Sequence, residues 1–236
     1  MQPYFLPYIG YFQLISSVDL FIVYDNIKYT KKGWINRNRF LQNGKDAVFT
    51  IPLKNDSDAL DVCGRHIASD FGRTKLLNQL REAYRKAPYF ASAYPLIESL
   101  LSVSEPNLFK FIFASIVDVC AYLGIRTPLK ISSSISINHS LQNQDKVIAL
   151  CEAVGATTYV NAIGGVDLYS TEAFSAKGLQ LRFLKSKPFE YRQFGHTFVP
   201  WLSIMDVLMF NSKDHISGYL SSGYDLVAEG EVADRV

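Results

Sequence analysis

Tryptophan, cysteine and histidine are scarce in this chain: two Trp, three Cys and four His among 236 residues. The cysteines, Cys63, Cys120 and Cys151, stand far apart, and no pair has the spacing of a zinc or redox motif. They are expected to be buried free thiols of a reducing cytoplasm, and no metal centre is expected. Early positive charge is lacking too. No Lys or Arg precedes Lys28, and Pro3 and Pro7 interrupt the apolar opening, which argues against a secretory leader. No run approaches the roughly 18 apolar residues of a membrane span. The nearest, FKFIFASIVDVCAYLGI, contains Lys110 and Asp118. An excess of one charge is absent as well. A net charge of +2 does not indicate a nucleic-acid partner, and the acidic stretch NDSDALD, with Asp56, Asp58 and Asp61, argues against one. There is no G-x-G-x-x-G or Walker motif, no nucleophile elbow, and no Ser/His/Asp or Cys/His set. Catalysis, if present, is expected to rest on positioning and electrostatics. No repeat, low-complexity tract or linker divides the chain, so residues 1–236 are expected to form a single α/β domain.

What the chain has in abundance is aromatic: 14 Tyr and 16 Phe, with five aromatics in the first twelve residues. IGYFQLISS suits a short helix, and VDLFIVYD reads as a buried strand. RNRFLQNGKDAVFTIPL reads as a hairpin, because Asn43-Gly44 supplies the two positive-φ residues of a type I′ turn. A helical insertion is expected over about 70–125. Within it, Ser104 is a candidate cap for a helix whose apolar stripe runs through Leu108, Phe111, Ile112, Ile116, Val119, Cys120 and Leu123, with Gly124 as its stop. From Pro128 the rhythm becomes β-α-β-α-β: PLKISSSI, a helix over 143–154, TTYVN, a helix through Phe174, and LQLRFL. That order predicts a Rossmann-like parallel sheet in which TTYVN and LQLRFL are neighbours. A further helix is expected from Pro200, with Leu202, Met205, Leu208 and Met209 inward. AEGEVADRV reads as a polar tail.

Three constellations are candidate sites. In YDNIKYTKKGWINRNRF, five cations lie within twelve residues: Lys28, Lys31, Lys32, Arg37 and Arg39. Trp34 and Tyr29 offer flat walls, and Asn36 and Asn38 offer amides. Such a set suits a phosphate-bearing ligand, with Arg37 as a bidentate group; the same charges would equally protect a solvated hairpin edge. Asp25, at the end of a strand, suits capping a turn, orienting Lys32, or holding a metal, in falling order. The second is Asn161-Ala162-Ile163-Gly164-Gly165, which follows a strand. Its glycines let backbone N–H groups approach a phosphate, although an ordinary strand-to-helix turn has the same composition. The third is His196, in the loop before the helix near 200, with a pKa range suited to acid–base work.

QPYFLPYIGYFQLI, FIVYDNIKYTKKGWINRNRF, YVNAIGGVDLY and QFGHTFVPWLSIMDVLMFNS, taken in order, resemble the WbqC-like family of bacterial proteins from Gln2 to about Tyr219. The resemblance implies a protein of surface-polysaccharide (O-antigen) biosynthesis: a transferase acting on a nucleotide-activated amino sugar, including amino-acyl (glycine) transfer. The alternative is a non-catalytic nucleotide- or sugar-binding scaffold of the same pathway. The implied partner is a small-molecule nucleotide or nucleotide sugar. Cofactor and oligomeric state stay open, a homo-oligomer among the options. Gln2 and Tyr4 would line a ligand loop leading from a strand into a helix. Members of the family usually carry apolar residues ahead of QPY that form a first strand. Here Met1 alone precedes it, so a misplaced start or a trimmed chain is expected.

Overall fold

Pro3 and Pro7 keep the opening residues out of regular structure, since proline fixes φ and lacks a donor, and helix α1 (Ile9–Ser16) begins once they are passed. The computed structural model describes residues 1–195 and 197–231. The candidate His196 lies outside the described residues, as does the end of the expected polar tail.

Strand β1 (Phe21–Val23) follows α1 and is much shorter than VDLFIVYD. Strands β2 (Arg37–Gln42) and β3 (Lys45–Thr50) form the expected hairpin, with Asn43 at φ 52° and Gly44 at φ 73° in the turn. Helices α2 (Arg73–Tyr84), α3 (Phe90–Ser102) and α4 (Leu108–Leu123) fill the expected helical stretch. The α4 stripe is buried except for a half-exposed Leu123, and Gly124 at φ 73° ends the helix. The cap is Asn107 and not Ser104. Asn107 accepts from the Lys110 N–H at 3.0 Å and donates to the Cys63 carbonyl at 2.7 Å, so it starts the helix and ties it to the 3₁₀ turn at Val62–Gly64.

Strand β4 (Leu129–Ile131) is shorter than the sequence suggested, because Ser132–Ser134 turn into a 3₁₀ helix. Helix α5 (Asn143–Ala153), strand β5 (Thr158–Ala162), helix α6 (Thr171–Ser175) and strand β6 (Gln180–Ser186) follow the expected alternation, with a 3₁₀ segment at Ile163–Leu168. Helix α7 (Ile204–Phe210) begins later than Pro200, because Trp201 has φ 61°, outside any right-handed helix, and Ser203 supplies the cap. All seven α7 residues are buried, each large apolar side chain contributing roughly 1.5–3 kcal/mol. Helix α8 (Lys213–Ser222) and strand β7 (Tyr224–Val227) follow, with a 3₁₀ turn at Glu229–Glu231 after them.

The expected parallel pair is present: β5 and β6 run in register from Thr158↔Gln180 to Ala162↔Leu184. A continuous Rossmann-like sheet is not formed. The described strands make three small sheets: β1–β4 parallel, β2–β3 antiparallel, and β5–β6–β7, in which β7 is antiparallel. The break lies between β1 and β5. Met1 donates from its α-amine to the Ile22 carbonyl at 2.8 Å and accepts from the Tyr24 N–H at 2.9 Å, which is one rung of a parallel ladder. Beside it, a cavity of about 440 Å³ is lined by Phe21 and Ile22 of β1 and by Thr158–Asn161 of β5.

Two apolar clusters hold the molecule together. The larger draws on α1, β1, the hairpin, α2–α4, α7 and α8; the smaller lies among α5, α6 and β6. All three cysteines are free. Burial pushes the Cys120 thiol up to about 12 and that of Cys151 up to about 11. Cys63 departs from expectation and is exposed, because Val62 takes the inward place in its 3₁₀ turn. No helix among the described residues is long and apolar enough to cross a membrane.

Candidate functional site

A cavity of about 860 Å³ opens where the starts of α1 and α5 and the end of β5 converge. Its walls are phenolic: Tyr4, Tyr8, Tyr11, Tyr24, Tyr159 and Tyr169 all line it. Tyr4 and Tyr11 lie 5.9 Å apart, and the Tyr159 hydroxyl donates to that of Tyr169 at 3.2 Å. Burial raises the phenols of Tyr4, Tyr8, Tyr11, Tyr24 and Tyr159, so near neutrality they are neutral donors.

Both helices that start at this cavity lack a side-chain N-cap. Gly10 and Tyr11 of α1, and Asn143, Gln144 and Lys146 of α5, line the space in front of their first turns. An uncapped helix start presents free N–H donors and partial positive charge. Lys146 adds a full charge. Its residue is buried, and its Nζ donates to the Asn26 carbonyl at 3.0 Å and to Asn26 Oδ1 at 3.1 Å. Burial lowers its pKa, opposed by the carboxylates of Asp61 and Asp25.

Of the residues the sequence singled out, Gln2, Tyr4, Asn161, Gly164 and Gly165 meet at this cavity. Gln2 accepts from the Tyr4 hydroxyl at 3.1 Å, and its carbonyl accepts from Tyr11 at 2.9 Å. A Cβ on Gly165 would stand 2.5 Å from Asn161 Nδ2, so a side chain there would displace that amide.

Asp25 lies behind the wall. Its carboxylate accepts from the Ser132 hydroxyl at 2.8 Å, the Ser133 N–H at 3.0 Å and the Ser133 hydroxyl at 2.6 Å. Burial would raise its pKa, but these bonds outweigh burial and hold it below the ordinary value. Ser132 also donates to Asn26 at 2.7 Å, so Asp25 and Ser132 steady the residue that holds Lys146. Among the described residues, no group of three or more His, Cys, Asp or Glu is placed to hold a metal ion.

The hairpin candidates do not reach the cavity. Lys32 and Trp34 are exposed. Arg37 turns its guanidinium onto its own loop, donating to the Gly33 carbonyl at 2.9 Å and to the Lys32 carbonyl, and it stacks over Trp34 at 5.3 Å. Asn36 joins the Tyr29 hydroxyl to the Ile51 carbonyl, each bond 2.8 Å. Asn38 donates to the Phe5 and Leu6 carbonyls at 3.2 and 2.7 Å, bracing the opening loop where Leu6 takes φ 45°.

A family model matches residues 2–217. The chain belongs to the WbqC-like protein family. This WbqC-like chain is also 26% identical over 224 residues to "Uncharacterized protein Rv1507c" of Mycobacterium tuberculosis, covering 93% of this chain and 95% of that protein. No solved structure matches.

Sequence reasoning missed Lys146, Gln144, Tyr24, Tyr159 and Tyr169 in this WbqC-like protein. One signal was available for Lys146. It is a cation in the first turn of a helix, where the helix dipole disfavours positive charge, and it borders the buried face through Val147 and Ile148. The tyrosines gave no local signal, since their grouping depends on segments brought together from across the chain.

Proposed function

We propose that the tyrosine-lined cavity binds a nucleotide-activated sugar, and that the chain is a transferase acting on that ligand in bacterial surface-polysaccharide biosynthesis. The observation that carries this reading is the convergence of Lys146 with two uncapped helix starts on one cavity. Each of these features favours an anion, and a diphosphate spans several of them at once. About 860 Å³ lies within the usual range for a ligand of nucleotide-sugar size. Phenolic walls supply flat apolar faces with neutral donors at their tips, which suits a base and a sugar ring.

What lines the cavity supports one kind of chemistry. Among the described residues, no Ser, Thr, Cys or His lines it, and Lys146 and Asp167 are the ionisable side chains there besides the phenols. Catalysis then works by orientation and charge stabilisation, with Lys146 neutralising the phosphates and a lowered pKa bringing its amine nearer to use as a proton carrier. Transfer of an amino-acyl group, such as glycine, to an amino sugar is the narrower form of this reading.

A thermal-shift screen of nucleotides and nucleotide sugars tests it, because a ligand specific for the folded state raises the melting temperature. The expected result is stabilisation by nucleoside diphosphate sugars that is lost in Lys146→Met. No stabilisation by any nucleotide overturns the reading. Binding without turnover of any amino-acyl or glycosyl acceptor leaves the non-catalytic scaffold as the better account.

A further inference from the structure

Both tryptophans of the chain are exposed, Trp34 at 42% and Trp201 at 59%. Trp201 is the more unusual, because its backbone lies in the left-handed region at φ 61°, which large side chains avoid. Phe194, across the same loop, repeats the pattern, with φ 44° and 40% exposure. Neither ring is placed there by burial.

Described residues on either side of this loop are nonetheless tied together. The Gln193 amide closes it at both ends, donating to the Val199 carbonyl at 3.2 Å and accepting from the Val199 N–H at 2.8 Å. Gln193 also donates to the buried Asp206 at 2.8 Å, beside the hydroxyls of Tyr84 at 2.8 Å and Tyr191 at 2.7 Å. Arg39 holds the Trp201 carbonyl at 3.0 Å. A strained backbone persists only where its surroundings over-determine it, and such strain gathers at ligand sites.

Trp201 forms one wall of a cavity of about 220 Å³, together with Tyr8, Lys187, Glu190 and Phe198. Its ring is tilted against that of Tyr8 at 5.1 Å. Tyr8 also lines the large cavity, so the two spaces share a wall. Ser186 lines the small cavity and Gly10 the large one, and a Cβ on Gly10 would stand 3.0 Å from Ser186 Oγ, so the partition is thin.

We infer that the Trp201 pocket is a second subsite that takes one sugar ring stacked on the indole, adjoining the ligand of the large cavity through Tyr8. Resting on the nucleotide-sugar reading above, it is the place for the saccharide that receives the transferred group. Its volume falls below the roughly 300 Å³ at which drug-sized pockets begin, so it suits a single ring better than a whole nucleotide. An aromatic face accepts the apolar C–H side of a pyranose, and a rim carrying both a carboxylate, Glu190, and an ammonium, Lys187, can hydrogen-bond hydroxyls as acceptor and donor. Lys187 is held by Asp225 at 2.9 Å, which with Glu190 leaves the rim net acidic and unlike a phosphate cradle.

The two-tryptophan composition makes the test direct. In Trp34→Phe, all indole emission comes from Trp201. Titration with methyl glycosides of hexoses and N-acetylhexosamines is expected to give a saturable blue shift in the millimolar range. Trp201→Gly is expected to weaken glycoside binding at least tenfold by saturation-transfer NMR, leave the nucleotide thermal shift intact, and raise the melting temperature, because glycine accepts φ 61° without strain. A fall in melting temperature with unchanged glycoside binding would show a packing role and overturn the inference. So would an indole that responds to nucleosides but to no glycoside. Absence of any nucleotide thermal shift in the unsubstituted protein, with glycoside binding that is present there and lost in Trp201→Gly, would instead remove the large-cavity reading and leave this pocket as a lone sugar site.

Discussion

The basic hairpin and the tyrosine-lined cavity use polar groups in opposite ways. In the hairpin, Arg37 holds carbonyls of its own turn, Arg39 reaches Asp46 at 3.4 Å and the Trp201 carbonyl at 3.0 Å, and Lys31 pairs with Asp58 at 2.9 Å. Its charges are numerous and largely exposed, and Lys31, Arg37 and Arg39 are engaged within the fold. At the cavity charges are few, but the Lys146 amine is desolvated and anchored by Asn26, on a residue that lines the same space as the two helix starts. Density of charge along the chain therefore measures surface, while a single charge taken out of water beside a cavity marks a place where binding energy is available.

The difference can be broken at several points. The largest effect is expected from pH. Burial lowers the Met1 α-amine to about 5 from its ordinary 8.0, so the folded state binds fewer protons than the unfolded chain between those values. Stability of a chain with a free Met1 amine then rises with pH across this window and falls as pH drops through it, by several kcal/mol at about 1.4 kcal/mol per unit. Denaturant melts from pH 5 to 8 check this. N-acetylation is expected to flatten the dependence. Four or five added β-forming residues ahead of Met1 should also raise the midpoint, by pairing the open edge of β1. An unchanged midpoint in the longer chain would separate the groove beside β5 from any strand-accepting role.

Next comes the direct contrast between the two regions. Lys146→Met is expected to weaken nucleotide-sugar binding roughly ten- to a hundredfold, the worth of a charge-assisted bond of about 1.5–3 kcal/mol. Arg37→Ala is expected to leave affinity within about twofold and to cost roughly 1–2 kcal/mol of stability, through its lost bonds to the Gly33 and Lys32 carbonyls. Isothermal titration of both variants decides it, and the reverse ranking would return the site to the hairpin.

Asp25→Asn should act through stability first, costing about 1–2 kcal/mol near neutrality. Because the folded carboxyl lies below its unfolded value, its contribution is present above the unfolded pKa and is lost as pH falls through the folded one. The variant's stability curve should therefore lack that part of the acid limb, and wild-type-like acid behaviour would show that Asp25 contributes little. The smallest effect is expected from Trp34→Ala. It loses two guanidinium contacts at the surface, at 5.3 and 5.6 Å, together worth about 1 kcal/mol at most, with no change in ligand affinity by titration.

Local signals in the sequence were read well. Asn43-Gly44 fixed a turn, the α4 stripe and Gly124 bounded a helix, and the alternation around β5 and β6 implied their parallel pairing. What escaped was non-local. Strand β7 pairs with β6 across some forty residues of loop and helix, and the described strands fall into three small sheets where one Rossmann-like sheet was expected. The arginines of the hairpin drew attention because charge is visible in sequence, whereas their partners are backbone carbonyls, which are not. Lys146 drew none because it sits alone in an otherwise ordinary amphipathic helix.

Ser203 donates to the Leu6 carbonyl at 2.7 Å, Ile204 to that of Pro7 at 2.9 Å, and Gln13 to that of Gly223 at 2.8 Å. The opening loop that shapes the cavity is thus fastened by the last quarter of the chain. During synthesis, at about 5–20 residues per second, this segment waits roughly ten to forty seconds for the groups that complete its hydrogen bonds. Until then Phe5, Leu6 and Phe12 have none of the α7 surface to pack on. Nascent chains stalled short of Gly223 should therefore expose this aromatic segment to chaperones, and arrested chains of increasing length should become protease-resistant at the N-terminus only once α7 and α8 have emerged.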